Sequence, residues 1–126
     1  LEKAEEMVAL KSGQIINIKP GRVGGLTESL KIHEYCQKHS VPVWCGGMLE
    51  TGIGRSYNIA LASLPNFTLT GDISPSKRYW KEDIVTPPHD MNAAGCVDVN
   101  FSKPGLGVEI KEDYIQSISS REQRLT

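Results

Sequence analysis

The sequence predicts an α/β fold built around a parallel sheet. Short β-branched or aromatic runs alternate with longer stretches of helical periodicity, each run stops at glycine or proline, and the connections are short. Each strand reads as buried on both faces, as parallel strands covered by helices are.

The elements follow in order. Leu1 to Ser12 places Leu1, Ala4 and Val8 at helical spacing among lysines and glutamates, with Gly13 as the expected C-cap. A first strand covers roughly 14–19, where Ile15, Ile16 and Ile18 suit a buried strand and the Pro20-Gly21 cluster stops it. Leu26 to Ser40 is a second helix, with Leu26 and Leu30 four apart and Ile32, Tyr35 and Cys36 on a neighbouring stripe. Val41-Pro42-Val43-Trp44-Cys45 is a second strand closed by Gly46-Gly47; Pro42 fits only near its start, because proline donates no ladder hydrogen bond. Gly54 to Leu64 carries Ile59, Ala60, Leu61, Ala62 and Leu64 as a third helix and ends before Pro65. Phe67-Thr68-Leu69-Thr70 is a third strand ending in Gly71-Asp72. After Trp80 the pattern changes. Ile84 to Ile110 is rich in proline and glycine, with β-prone pieces at Val97-Asp98-Val99 and Val108-Glu109-Ile110. It reads as an irregular tail that crosses the surface or joins another domain, before a last amphipathic segment carrying Tyr114, Ile115 and Ile118.

The 126 residues suffice for one modest domain, and 39% hydrophobic with 23% charged residues is ordinary for a globular chain. A net charge of −1 gives no general attraction to nucleic acid or to an anionic membrane. No apolar stretch approaches the ~20 residues needed to span a bilayer, and there is no signal-peptide pattern. The three cysteines, Cys36, Cys45 and Cys96, form an odd set without a Cys-x-x-Cys pair, which points to free thiols in a reducing cytoplasm. His33, Cys36 and His39 lie on one helix, but positions 33 and 39 point to different faces, so packing or solvent is the better reading than zinc. Three βα units do not close an eight-stranded barrel, which needs about 250 residues. A free three-stranded sheet would expose two apolar edges. With a first residue, Leu1, already in helix, the expectation is a piece of a longer polypeptide.

The candidate chemistry sits at the strand tips. Lys19 ends the first strand where the chain turns, and the later strands bring Glu50 and Asp72 to equivalent tips; in barrels of alternating strands and helices those tips carry catalytic groups. On position alone, Lys19 also reads as a solvated charge at a strand end. Gly21, Gly24 and Gly25 suit a tight strand-to-helix turn, whereas Gly46-Gly47 at a strand tip lets a ligand approach the backbone. Amides there, or at the start of the Gly54 helix, suit a carboxylate or phosphate. Gly52-Ile53-Gly54 is no dinucleotide fingerprint, because Tyr57 stands where the third glycine belongs and no strand immediately precedes Gly52. Lys19-Pro20-Gly21 is no P-loop, since its lysine comes before the glycines.

These residues in combination resemble one family. Ile16-Asn17-Ile18-Lys19-Pro20-Gly21-Arg22-Val23-Gly24-Gly25, then Gly46-Gly47-Met48-Leu49-Glu50-Thr51-Gly52-Ile53-Gly54-Arg55, then Leu64-Pro65-Asn66-Phe67 with Gly71-Asp72-Ile73 closely resemble the enolase superfamily. Within it they are most similar to the o-succinylbenzoate synthase / N-acylamino acid racemase group, and Lys103-Pro104-Gly105-Leu106-Gly107-Val108-Glu109-Ile110 resembles that group's C-terminal segment. The resemblance runs from about Leu1 to Ile110 and matches the last third of a complete member. It implies the C-terminal part of a modified TIM (β/α) barrel: residues 1–83 give the end of helix five and units six to eight, and residues 84–126 form a tail returning to a capping domain.

The resemblance further implies Mg²⁺-dependent abstraction of a proton α to a carboxylate, in a dehydratase of menaquinone biosynthesis or in an N-acylamino acid racemase; another muconate-cycloisomerase-like activity is the alternative. Lys19 would be one of two lysines on opposite sides of the substrate α-carbon, with its partner and the three metal-binding carboxylates outside this chain. Loss of that proton leaves an enediolate, whose charge needs a metal and nearby donors. A lysine acts as a base only when neutral, which burial or a neighbouring positive charge favours; Lys19 reads equally as a base or as a cationic stabiliser. Glu50 would help at the substrate carboxylate or bond turn amides. Gly46, Gly47 and Met48 would line the pocket, with Met48 as apolar wall or as core filler. Asp72 and Ile73 would border the distal part of the substrate, with Asp72 equally suited to capping the next turn. The partners implied are a small carboxylate and the missing N-terminal part of the barrel and cap, with homo-oligomerisation open. Two readings of other classes stand beside this one: a non-catalytic small-anion-binding domain using Gly46–Gly54, and a phosphate-binding part of an unrelated barrel.

Overall fold

The computed structural model describes residues 1–99 and 102–123, so positions 100–101 and 124–126 of the expected tail lie outside the described residues. The order is α1 (Glu2–Ala9), β1 (Ile16–Ile18), α2 (Pro20–Val23), α3 (Leu26–Lys38), β2 (Val43–Cys45), α4 (Gly52–Ala62), β3 (Val85–Thr86), β4 (Glu109–Ile110) and α5 (Glu112–Ile118), with a 3₁₀ turn at Ser76–Arg78. Strands β1 and β2 run parallel, pairing Ile16 with Val43, Asn17 with Trp44 and Ile18 with Cys45, and α3 makes the crossover. This is the expected βα repeat.

The expected third strand over 67–70 does not form a continuous ladder. Its segment touches β2 and the tip beyond it through two isolated parallel bridges, Val43 with Phe67 and Gly46 with Asp72. Three steps along one chain face five along the other, so two extra residues bulge out between the bridges and Thr68, Leu69 and Thr70 stay exposed. The hydrogen bonds at the two ends survive: Val43 N–H donates to Asn66 O (3.2 Å) and Asp72 N–H to Cys45 O (2.9 Å).

The helices cover one face only. Ala4, Ile18, Ile32, Cys36, Val43, Cys45 and Leu61 form the core cluster, with Ile16, Val23, Phe67 and Ile73 packed against it. Because strand residues alternate, Ile18 is fully buried while its neighbour Asn17 is exposed on the opposite face. The expectation of strands buried on both faces therefore fails here, since this chain supplies helices for one side of the sheet. On α3 the buried stripe is Ser29, Ile32, His33 and Cys36, while Leu26 and Leu30 lie on the exposed side. His33 and Cys36 are thus core residues, and His39 rests against the Tyr35 ring, 4.3 Å between centroids.

Two glycine assignments change. Helix α1 ends at Ala9, ahead of Gly13, with Leu10 as C-cap and Lys11 at φ 52°. Gly13 serves packing instead: a methyl group there would fall 2.6 Å from Met7 Sδ. After Lys19 the chain makes the one-turn helix α2, started by Pro20 at its first position and stopped by Gly24 at φ 100° and Gly25 at φ 102°. Gly24 and Gly25 thus hold backbone that other residues adopt only with strain, while Gly21 lies inside that helix in open space.

The tail is more ordered than the sequence suggests. Strands β3 and β4 pair antiparallel, Val85 with Ile110 and Thr86 with Glu109, whereas Val97-Asp98-Val99 forms no strand. No helix among the described residues is long and apolar enough to cross a membrane.

His33 makes the core sensitive to acid. Its ring stacks on Phe67 with 5.4 Å between centroids, it is 5% exposed, and its Nε2 has no partner among the described residues. Burial holds its pKa below the ordinary imidazole value, so the ring is neutral in folded and unfolded chain alike above about pH 6.5. Below that the unfolded chain protonates first, and stability drains away as pH falls through the folded-state value. The urea midpoint, followed by circular dichroism, is expected to drop between pH 7.5 and 5.5. His33→Phe, which keeps a stacking ring without a titrating nitrogen, is expected to remove part of that drop; a His33→Phe profile as steep as the parent's would contradict this account.

Candidate active site

The open face of the sheet gathers the candidate residues. Lys19 continues β1 in extended backbone (φ −118°, ψ 105°) before α2 begins, so it shares a face with Asn17. Its half-buried side chain reaches over the next strand tip and Nζ donates to Gly47 O at 3.2 Å. Beneath that side chain lies Gly46, where a methyl group would fall 2.5 Å from Asn17 Oδ1 and 2.6 Å from Lys19 Cε. Gly46 N–H donates to Ile18 O at 3.0 Å, and Gly47 N–H donates to Asp72 O at 2.6 Å. Lys19, Gly46, Gly47 and Asp72 therefore stand side by side across three chain tips, and the glycines are what let the tips close up.

The remaining residues separate. Met48 is 45% exposed, which rules out a role as core filler. Glu50 is half-buried, and its Oε2 accepts the Met48 N–H at 2.7 Å, the turn-amide role foreseen for it. Asp72 is exposed beside Gly46, and among the described residues its carboxylate makes no capping hydrogen bond. Ile73 corrects the expectation. One residue on from Asp72, it faces the other way and packs against the apolar core instead of bordering the open face.

The glycines of the next helix make room for protein, not ligand. A side chain at Gly52 would collide with Val85 of β3 and meet Asp83 Oδ1, and one at Gly54 would fall 2.9 Å from Glu50 Cγ. The first amide of α4 is already taken, since Gly52 N–H donates to Asp83 Oδ1 at 2.8 Å. A carboxylate from the chain itself thus occupies the helix start, one of the two places the anion-binding alternative offers, and the Gly46 and Gly47 amides of the other are bonded to Ile18 O and Asp72 O.

Three contributors were not legible in the sequence. Asp83 lies 31 positions from the amide it caps. Arg55, only 1% exposed, donates through Nη2 to Glu50 O at 2.9 Å and through Nη1 to Ser74 O, and Trp80 Nε1 donates to the same Glu50 carbonyl at 2.9 Å. Apart from Arg55 to Glu50, five residues apart, these pairings span 19 to 31 positions and leave no local pattern. Asn17 did carry a signal, being two residues before Lys19 in a strand and so on its face.

Fold and site together define a segment of a (β/α) barrel whose strand tips present a lysine, a glycine pair and two carboxylates. The family model for the enolase C-terminal domain-like fold matches residues 1–114, and the chain belongs to that family. It is similar to the o-succinylbenzoate synthase of Bacillus subtilis, 57% identical over 116 residues that make up 92% of this chain and 31% of that protein. It is also similar to an N-succinylamino acid racemase of Amycolatopsis, 53% identical over 93% of this chain and 31% of that protein. Among solved structures, an enolase superfamily member from Listeria innocua superposes with a TM-score of 0.84 at 43% identity, covering 92% of this chain and 31% of that one. The chain thus spans about a third of the length of the relatives it matches.

Two outcomes follow from the packed tips. A methyl group at Gly47 collides with the Asp72 backbone, whereas one at Gly46 meets the movable ends of Asn17 and Lys19. Gly47→Ala is therefore expected to cost about 1–3 kcal/mol of stability and Gly46→Ala less, compared by thermal melting. The Cys45 thiol is pushed up to about 12 by burial, with the Glu50 charge adding and the Lys19 charge opposing, and burial raises Cys36 as well. Iodoacetamide at pH 8 under native conditions is expected to label exposed Cys96 and spare the other two, read by peptide mass mapping.

Proposed function

We propose that the complete polypeptide carrying this chain is an enzyme that removes a proton α to a carboxylate. On this reading it is an o-succinylbenzoate synthase, a Mg²⁺-dependent dehydratase of menaquinone biosynthesis, with N-acylamino acid racemisation as the alternative outcome at the same site. The observation that carries it is Lys19, half-buried at a strand tip with its Nζ over the Gly46-Gly47 backbone. The named relatives, synthases and racemases alike, support the same choice of chemistry.

In this reading each residue has one task. Lys19 meets the substrate α-carbon, as base in racemisation or as the cation that steadies the enediolate in dehydration. Gly46 and Gly47 let the substrate lie against backbone. Met48, exposed and adaptable, forms an apolar wall for the succinyl or acyl arm. Glu50 holds that wall through its bond to the Met48 amide, and Asp72 borders the same face. Ile73 takes no part. The described residues do not fit a magnesium site, since no group of three or more His, Cys, Asp or Glu side chains comes together among them. Its ligands belong to the rest of the polypeptide. The free thiols agree with a cytoplasmic enzyme.

The test uses the complete polypeptide with Mg²⁺ and an N-succinylamino acid in D₂O, with α-proton exchange followed by NMR. Lys19→Ala is expected to slow exchange by about 10²- to 10⁴-fold while the fold persists. The 126-residue chain alone is expected to show none. Exchange by the isolated chain, or by folded Lys19→Ala at the parental rate, would overturn the proposal.

A further inference from the structure

The wall formed by Met48, Leu49 and Glu50 is not held by packing. Met48 is 45% and Leu49 69% exposed, so burial fixes neither. What fixes this loop is a set of hydrogen bonds that converge on it. The residue before it, Gly47, is tied to the Asp72 tip through its N–H, and its last residue, Glu50, offers one carbonyl to two donors, Arg55 Nη2 and Trp80 Nε1, each at 2.9 Å.

Arg55 is an odd choice for its place. A guanidinium 1% exposed costs several kcal/mol to desolvate, and an apolar side chain of similar size would fill the space without that cost. Its hydrogen bonds go to carbonyls: Glu50 O on one arm and Ser74 O, two residues past Asp72, on the other, with the Tyr79 ring 5.9 Å from its centre. A planar fork with fixed donor directions does what no apolar residue does, which is to set the spacing between two backbone segments. Trp80, at the end of the segment that follows Ser74, closes the triangle from the outside and is 37% exposed.

We propose that Arg55 and Trp80 are positioning residues that hold the Met48–Glu50 wall at a set distance from the Asp72–Ser74 tip, and so determine which substrate arm the pocket accepts. The inference rests on the functional reading above. It assigns recognition of the acyl arm to a clamp outside the pocket, leaving the proton step to Lys19.

The test compares Trp80→Phe and Arg55→Lys in the complete polypeptide with Mg²⁺, using N-succinyl and N-acetyl forms of one amino acid. Trp80→Phe removes one donor from a part-exposed site, so it is expected to fold; its KM for the succinyl substrate should rise about 3- to 10-fold, more than kcat falls, with less discrimination between the two arms. Arg55→Lys should move the same quantities further. In parallel, deuterium uptake at the amides of residues 48–51 should quicken about tenfold or more in Trp80→Phe, a readout that needs no turnover. A folded Trp80→Phe with parental KM and parental arm preference overturns the proposal even if Arg55→Lys fails to fold. Unchanged deuterium uptake overturns it as well. A parent enzyme that exchanges no α-proton of either substrate sinks the racemisation reading and leaves dehydration standing, and the uptake experiment then decides the clamp alone.

Discussion

Everything at the site depends on one constraint, the alternation of side chains across the paired strands β1 and β2. Helices α3 and α4 bury Ile18, Val43 and Cys45 on one face, with no freedom to slip, because a shift by one residue would bring Asn17 and Trp44 into the core. Fixing that face fixes the other. Asn17, Lys19, Gly46 and Asp72 are presented together because their neighbours are committed elsewhere, and the open face is the complement of the apolar one. Lys19 is aimed by the strand that carries it and by its bond to the Gly47 carbonyl.

The same alternation explains how far the sequence could be read. The parallel strands, the helices between them, and the placement of Lys19, Gly46 and Met48 at the tips follow from local periodicity and from where glycine and proline stop each run. Ile73 follows Asp72 directly, but a strand sends neighbours to opposite sides, so Ile73 joins the core and not the open face. The third strand was read as regular because its composition is β-prone; the two-residue bulge depends on how Phe67 and Asp72 each meet a different chain tip, which no local pattern encodes. Trp80 and Asp83 act on backbone 30 and 31 positions away, and Arg55 joins a carbonyl five residues before it to one 19 residues after it, none of which local periodicity encodes.

Glycine carries much of the geometry, and for more than one reason. Gly24 and Gly25 are required by backbone conformation. Gly46, Gly47, Gly52 and Gly54 are required by close approach, to Lys19, to the Asp72 backbone, to Val85 and to Glu50 respectively. A motif that looks like a nucleotide loop thus works as a packing seam between a helix and the tail, while the Gly46-Gly47 pair lets three chain tips close up.

The cap on α4 has a consequence for the order in which the molecule can be made. Gly52 N–H is satisfied by Asp83, and Gly52 itself is covered by Val85, so the helix start that anchors Glu50 is completed by residues translated 31 or more positions later. At synthesis rates of 5–20 residues per second that is a delay of roughly 2–6 s, during which α4 has emerged with a bare positive end and nothing beneath its first turn. The barrel tips can assemble from the front of the chain, but their last wall is finished from the back. Until Asp83 and Val85 arrive, the first turn of α4 has neither its cap nor its cover.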